Sequence, residues 1–144
     1  MTGIMVLNAG DIMRKDLSTV SGDISVLDAS RIMMNNGAGF LIITNNGVPD
    51  GIITEWDVLV KVTAKQLDPS KTPIREVMTR NFIYVGPDSP TNRVVSIMKE
   101  NRIRRLPVIE NGKVVGVITS RDIIRIFEDY MDNIAEVSSR YGMT

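Results

Sequence analysis

Apolar residues in this chain recur with two periods that alternate along its length. Val26, Ala29, Ile32 and Met33 fall at helical spacing, and so do Val94, Val95 and Met98 behind Thr91. Short β-prone runs follow each helix: Phe40–Thr44 with Gly51–Thr54, then Leu106–Ile109 with Val114–Thr119. Asn46-Gly47 and Asn111-Gly112 join the members of each pair, a strong hairpin signal because both residue types tolerate positive φ. Upstream of each helix lies another β-prone stretch, Thr19-Val20 or Phe82-Ile83-Tyr84-Val85. Each is followed by a turn-and-cap cluster, Ser21–Ser25 or Gly86–Pro90. Ser25 and Asp28 are spaced as a capping pair. A further helix is predicted from near Thr54 and again from near Thr119. The unit is therefore β-α-β-β-α, and it is written twice.

Sliding residues 11–60 forward by 65 lays them on residues 76–125 without a gap. The identities are Met13/Met78, Val20/Val85, Asp23/Asp88, Ile32/Ile97, Met33/Met98, Asn36/Asn101, Leu41/Leu106, Asn46/Asn111, Gly47/Gly112, Gly51/Gly116, Ile53/Ile118, Thr54/Thr119 and Asp57/Asp122. They occupy turn, core and cap positions, as a shared backbone demands, so a duplication is the reading. The first repeat is placed in residues 1–62 with its core at 11–62, and the second in 76–132. Residues 63–75, with two prolines, read as a linker, and 133–144 as a C-terminal extension. Asp129–Arg140 extends the last helix, with Gly142 as its stop. One unit of about 50 residues is marginal for independent folding. The expectation is an α+β module whose two units pack sheet to sheet about a pseudo-two-fold axis and share one core.

Composition narrows the chemistry. The 144 residues include neither cysteine nor histidine. Thiolate metal sites, disulfides, thiol catalysis and the commonest general base are excluded. Formal net charge is zero, so no global field draws in nucleic acid or an anionic membrane. No apolar run reaches the roughly 20 residues of a membrane span, and the N-terminus lacks a signal pattern, which makes the cytoplasm the default expectation. Neither a P-loop nor a G-x-G-x-x-G motif is present. No nucleophile–base–orienter set is positioned, so the chain is read as not an enzyme.

The stretch Arg104-Arg105-Leu106-Pro107-Val108-Ile109-Glu110-Asn111-Gly112 through Thr119-Ser120-Arg121-Asp122-Ile123 resembles a CBS domain, the module named after cystathionine β-synthase. Glu76-Val77-Met78-Thr79 resembles the family's leading segment. Asp11-Ile12-Met13-Arg14 and Gly51-Ile52-Ile53-Thr54-Glu55-Trp56-Asp57-Val58 match it more loosely. The resemblance covers residues 11 to about 128. It implies a CBS pair, or Bateman module, which binds adenosine-containing ligands (AMP, ADP, ATP or S-adenosylmethionine) between its repeats. It further implies a homodimer that regulates a partner protein. No catalytic cofactor, metal or membrane is implied, and nucleic acid is disfavoured.

Two readings stand side by side for the motifs. Thr54-x-x-Asp57 and Thr119-x-x-Asp122 are helix N-caps; a carboxylate at a helix start also suits ribose hydroxyls, and the helix N–H groups suit phosphate. The resemblance assigns Asp122 to ribose, with Thr119 and Ser120 near ribose or phosphate. Arg102-Ile103-Arg104-Arg105 is a solvated face or a phosphate clamp, and the resemblance favours Arg104 and Arg105 at phosphate, with Arg121 as a third cation. The first repeat has Gly37-Ala38-Gly39-Phe40 in place of that run and Ile42 in place of Pro107. One phosphate-competent site around Asp122 and a weaker one around Asp57 and Thr54 are therefore expected. By family precedent Ile12, Met13 and Val20 would line one adenine slot and Val77, Met78 and Tyr84 the other; core packing is the alternative for each. Trp56 either stacks on a base or packs at a dimer face, and Met33, Met34 and Met98 read as core or interface filler. Beside the nucleotide-sensing module stand two rivals: a ligand-independent interaction scaffold, and nucleic-acid binding through Arg102–Arg105.

Overall fold

The computed structural model describes residues 7–16 and 19–142. Helix α1 (Ala9–Ile12) precedes strand β1 (Thr19–Ser21), helix α2 (Val26–Asn36), the hairpin β2 (Phe40–Asn45) and β3 (Val48–Thr54), and helix α3 (Glu55–Asp57). α3 runs on as a π-helical stretch, Val58–Thr63, and a 3-10 turn covers Ile74–Glu76. Then come α4 (Thr91–Asn101), the hairpin β4 (Arg105–Glu110) and β5 (Lys113–Thr119), and α5 (Ser120–Arg140). This is the α+β duplication read from the sequence. Among the described residues no helix is long and apolar enough to cross a membrane.

Local chemistry sets these elements. Asn46 (φ 52°) with Gly47 (φ 80°), and Asn111 (φ 52°) with Gly112 (φ 74°), turn each hairpin through the left-handed region. Both hairpins carry a register irregularity at the equivalent place, Ile43/Thr44 and Val108/Ile109. Ser25 caps α2 by accepting the Asp28 N–H at 3.0 Å. Asp129–Arg140 does extend α5, and Gly142 follows at φ 65°.

The copies differ at their first strand. β1 runs parallel to β2 over Thr19–Ser21, giving a three-stranded sheet. The stretch Phe82–Val85, expected to be its counterpart, is not a strand; Val85 alone bridges Val108, and the second sheet has two strands. Pro107 accepts the Val85 N–H through its carbonyl at 3.1 Å. Having no N–H of its own, it cannot carry the ladder back towards Ile83.

Two large clusters and one small one replace the single shared core expected. The first gathers Val26, Ala29, Met33, Leu41, Ile43, Ile53 and Val62, and it also takes Ile74, Val77 and Met78 from the segment that leads into the second repeat. The second gathers Val85, Val94, Ile97, Met98, Leu106, Val108 and Ile118, together with Ala9, Ile12 and Met13 from the start of the chain. Phe40, Ile42 and Val117 form the third, where the sheets meet. Each repeat thus surrenders its leading segment to the other.

Hydrogen bonds repeat this exchange residue for residue. Arg14 and Val117 trade N–H and C=O at 2.9 and 3.0 Å; Thr79 and Ile52, their counterparts, do so at 2.8 and 3.0 Å. Ala9 donates to Ser89 and Gly10 to Pro87, as Ile74 donates to Ile24 and Arg75 to Gly22. Residues 7–10 and 72–75, read from identities as outside the repeat core and as linker, therefore dock in equivalent ways on the opposite repeat. The matched Met and Gly identities have one cause. A Cβ on Gly116 would lie 2.4 Å from Met13 Sδ, and one on Gly51 would lie 2.7 Å from Met78 Sδ. Each glycine leaves room for the methionine of the visiting segment. Of the three methionines read as filler, Met33 and Met98 are core and Met34 is exposed.

Gly116→Ala should lower Tm by several degrees, since overpacking typically costs about 1–3 kcal/mol. In a Met13→Ala background the same substitution should cost markedly less. Thermal unfolding of the four chains measures this; equal penalties in both backgrounds would show that the glycine does not serve Met13.

Candidate functional site

The exchange brings residues far apart in sequence to one cleft. A cavity of about 370 Å³ lies between the two sheets, lined by Arg14, Lys15, Asp16, Asn36, Ala38, Phe40, Ile42, Arg105, Val117 and Thr119. Phe40 and Ile42 come from β2, Val117 and Thr119 from β5, and Arg14 to Asp16 from the segment bridged to Val117. Period-2 alternation turns Phe40 and Ile42 to one face of β2 and Val117 and Thr119 to one face of β5. A smaller cleft of about 190 Å³ shares Arg14, Asn36, Ala38, Arg105 and Thr119 and adds Arg104, Ser120 and Arg121. The lining combines the apolar side chains of Phe40, Ile42 and Val117 with an excess of cations, Arg14, Lys15, Arg104, Arg105 and Arg121 against the one acid Asp16.

Asp122 stands behind this wall and is 4% exposed. Its Oδ2 accepts from the Thr119 N–H at 2.9 Å and the Thr119 hydroxyl at 3.0 Å, while the Asp122 N–H donates to Thr119 Oγ1 at 3.3 Å. That is the capping box of α5. Its Oδ1 accepts from Arg14 Nε at 2.9 Å, and the Arg125 guanidinium lies 3.7 Å away. Burial opposes the charged carboxylate, but the Thr119 N–H, the Arg14 guanidinium and the Thr119 hydroxyl outweigh it and hold its pKa below the ordinary value.

Asp57 has the same anatomy with a different cation. Its Oδ2 accepts from the Thr54 N–H at 2.9 Å and the Thr54 hydroxyl at 3.3 Å. Its Oδ1 pairs with Lys61 Nζ at 3.0 Å, one turn on in the same helix. Lys61 also donates to the Val77 carbonyl at 2.9 Å and contacts Thr79 Oγ1 at 3.4 Å. Thr79 is the counterpart of Arg14, so the visiting segment brings a cation to Asp122, whereas at the other site its hydroxyl meets Lys61, the cation already paired with Asp57.

The structure brings Thr119, Ser120, Arg121, Arg104 and Arg105 together and sets Asp122 directly behind Arg14. The helix N-terminus offers less than expected, because the Ser120 N–H donates to the Arg104 carbonyl at 2.8 Å and the Asp122 N–H to Thr119. Side chains must then supply most of any anion recognition. The adenine-slot candidates do not line this cavity. Val77 and Met78 belong to the first core, Ile12 and Met13 pack on the second, and Val20 packs on the first. Tyr84 is exposed, its ring 6.1 Å from that of Phe82. The apolar lining is instead Phe40, Ile42 and Val117. Trp56 is 66% exposed.

Sequence reasoning passed over Arg14, Lys15 and Glu55. Glu55 accepts from Arg105 at 2.9 and 3.3 Å and from Arg104 at 3.2 Å. The one signal for Arg14 was its place beside Met13 in the leading segment. Glu55 carried none, since its partners lie in the other repeat.

The CBS domain profile matches residues 9–63 and 74–129. An uncharacterised protein of Methanopyrus kandleri is 33% identical over 127 residues, covering 87% of this chain and 64% of that protein. The L-aspartate semialdehyde sulfurtransferase of Methanocaldococcus jannaschii is 37% identical over 119 residues, covering 81% of this chain. The chain spans only 22% of that enzyme's length. Among solved structures, the CBS domain pair of protein MJ0100, in complex with 5'-methylthioadenosine and S-adenosyl-L-methionine, superposes with a TM-score of 0.79 at 34% identity. That match covers 88% of this chain and 99% of the pair. With both repeats matched and the pair architecture shared, the chain belongs to the CBS domain family.

Proposed function

We propose that this chain is a non-catalytic regulatory module that binds an adenosyl ligand in the cavity between its repeats and thereby modulates a partner protein. The observation that carries the reading is the cavity itself. Its volume of about 370 Å³ falls in the range of small-molecule sites. Phe40, Ile42 and Val117 offer a slot for a purine, and Thr119 on the lining, with Asp122 behind Arg14, would receive ribose hydroxyls once Arg14 gives way. Arg14, Arg105, Arg104 and Arg121 favour a phosphate-bearing ligand (AMP, ADP or ATP) over the sulfonium of S-adenosylmethionine. The similar pair that holds two adenosyl compounds supports the ligand class.

Arg14 gives the ligand a means of regulation. It belongs to the segment that the first repeat lends to the second, and its guanidinium closes over Asp122. A ribose that reaches Asp122, or a phosphate that draws Arg14 away, binds one arrangement of that segment more tightly than the other. At Asp57, Lys61 is tied both to the aspartate and to the visiting segment, which supports a weaker second site at Asp57 and Thr54.

The outer face of α5 supports a homodimer. Ile124, Phe127, Met131, Ile134 and Tyr141, with Ser138, are spaced in alternating steps of three and four, and the five apolar side chains are exposed. That is the spacing of a heptad seam, with its apolar side chains left exposed among the described residues.

Titration calorimetry with AMP, ADP, ATP and S-adenosylmethionine tests the reading; no heat and no thermal shift with any of them would falsify it and leave the scaffold. Arg105→Ala should weaken AMP about tenfold or more, the usual loss of a charge-assisted hydrogen bond, whereas Asp57→Asn should leave it nearly unchanged. The chain has no histidine, and Asp122 is held below the ordinary carboxylate value, so neither titrates between about pH 5.5 and 7. The AMP phosphate loses its second proton near pH 6. AMP affinity should therefore rise with pH across that window while adenosine affinity stays flat; parallel curves for the two ligands would place the titrating group on the protein. Light scattering of the chain should give a dimer, and Phe127→Glu with Ile134→Glu a folded monomer; an unchanged mass would remove α5 from the interface.

A further inference from the structure

Glu55 opens α3 of the first repeat, yet its carboxylate serves the second. Oε1 accepts from Arg105 at 2.9 Å and from Arg104 at 3.2 Å, and Oε2 accepts from Arg105 at 3.3 Å. Contact with Arg105 is two-pronged, the strongest carboxylate–guanidinium arrangement. The Arg105 side chain is 21% exposed, so without an anion its charge would be poorly hydrated. Glu55 supplies that anion.

Room for the carboxylate comes from Gly39. A Cβ there would lie 1.1 Å from Glu55 Oε2, so the carboxylate fills the space that any side chain at this position would need. The Glu55 N–H is pinned to the Gly39 carbonyl at 3.0 Å, which fixes the approach. Position 39 is the first repeat's counterpart of Arg104. Replacing arginine by glycine there removes a cation from one repeat and also opens the slot through which an acid reaches the arginines of the other.

We infer that Glu55 is a resident counter-ion that sets the charge preference of the cleft, competing with ligand phosphate for Arg104 and Arg105. This rests on the adenosyl-ligand reading above. A phosphate entering beside Thr119 must share or displace the Glu55 carboxylate, and the like charges repel while both are present. A neutral nucleoside pays no such penalty. Glu55 therefore lowers the advantage of phosphorylated over unphosphorylated ligand without touching the adenine or ribose ends of the cavity.

Two variants separate this role from ordinary stabilisation. Glu55→Gln keeps the shape and removes the charge. Gly39→Ala keeps every charge and evicts the carboxylate; Gly39 is not among the positive-φ residues, and the group in its way is the free end of a side chain. AMP and adenosine affinities are measured by calorimetry on the full chain, with thermal unfolding to confirm that each variant is folded. In both variants the ratio of AMP to adenosine affinity should rise at least about fivefold, the lower end of ordinary coupling between competing groups. An unchanged or falling ratio, with adenosine still bound, overturns the inference and leaves the ligand reading standing. So does binding of S-adenosylmethionine with neither AMP nor adenosine. Failure of AMP, ADP, ATP, adenosine and S-adenosylmethionine alike to bind overturns both.

Discussion

The structure depends on an exchange. Each repeat lacks a piece of its own core and receives it from the other: Ala9, Ile12 and Met13 complete the second repeat, and Ile74, Val77 and Met78 complete the first. The exchanged segments are held at matched backbone bridges, Arg14 to Val117 and Asn8 to Pro90 for one, Thr79 to Ile52 and Pro73 to Ser25 for the other. Each is locked by a methionine lying over a glycine. Apolar burial at about 25 cal/mol per Å² is the main favourable term for so small a unit. Neither half could keep its sheet face dry without the borrowed side chains.

The cleft inherits its asymmetry from this exchange. Both aspartates spend one oxygen on capping a helix and the other on a cation. For Asp122 the cation arrives on the visiting segment, as Arg14. For Asp57 it comes from the same helix, as Lys61, which then fastens the visitor through the Val77 carbonyl. At the position of Phe40 and Arg105 one repeat brings an apolar ring and the other a guanidinium. Together they give one cavity a lining both apolar and charged, which two identical repeats would not have made.

Much of this was legible in the sequence because it rests on local chemistry. Asn-Gly at equivalent offsets, Ser25 before an amphipathic run, and Thr-x-x-Asp at each strand end specify turns and caps with no reference to the rest of the chain. What escaped was long-range. Gly51, Gly116, Met13 and Met78 showed as repeated identities, but nothing in the sequence says that each methionine lies over the other repeat's glycine. Ile12 and Val77 looked available for a ligand because their destination in the opposite core was invisible. Glu55 carries no signal of its own in the sequence, and only its distance to Arg105 gives it a role. Phe82–Val85 has the composition of a strand, and Pro107, a residue on its intended neighbour, is what stops it.

The matched bridges at Val117 and Ile52 show a geometry in which either repeat could take the place of its partner. A lone repeat, with its leading segment reaching out, would be complementary to a second copy of itself through the same Met-over-Gly contacts. Joining two copies end to end turns that encounter between molecules into one within a single molecule, where the tether fixes a high local concentration and assembly no longer depends on protein supply. Once association is guaranteed by the tether, neither copy needs to remain self-complementary. That release is what permits Arg104 and Gly39, equivalent in the repeat, to become a cationic donor to an acid and the gap that lets the acid through.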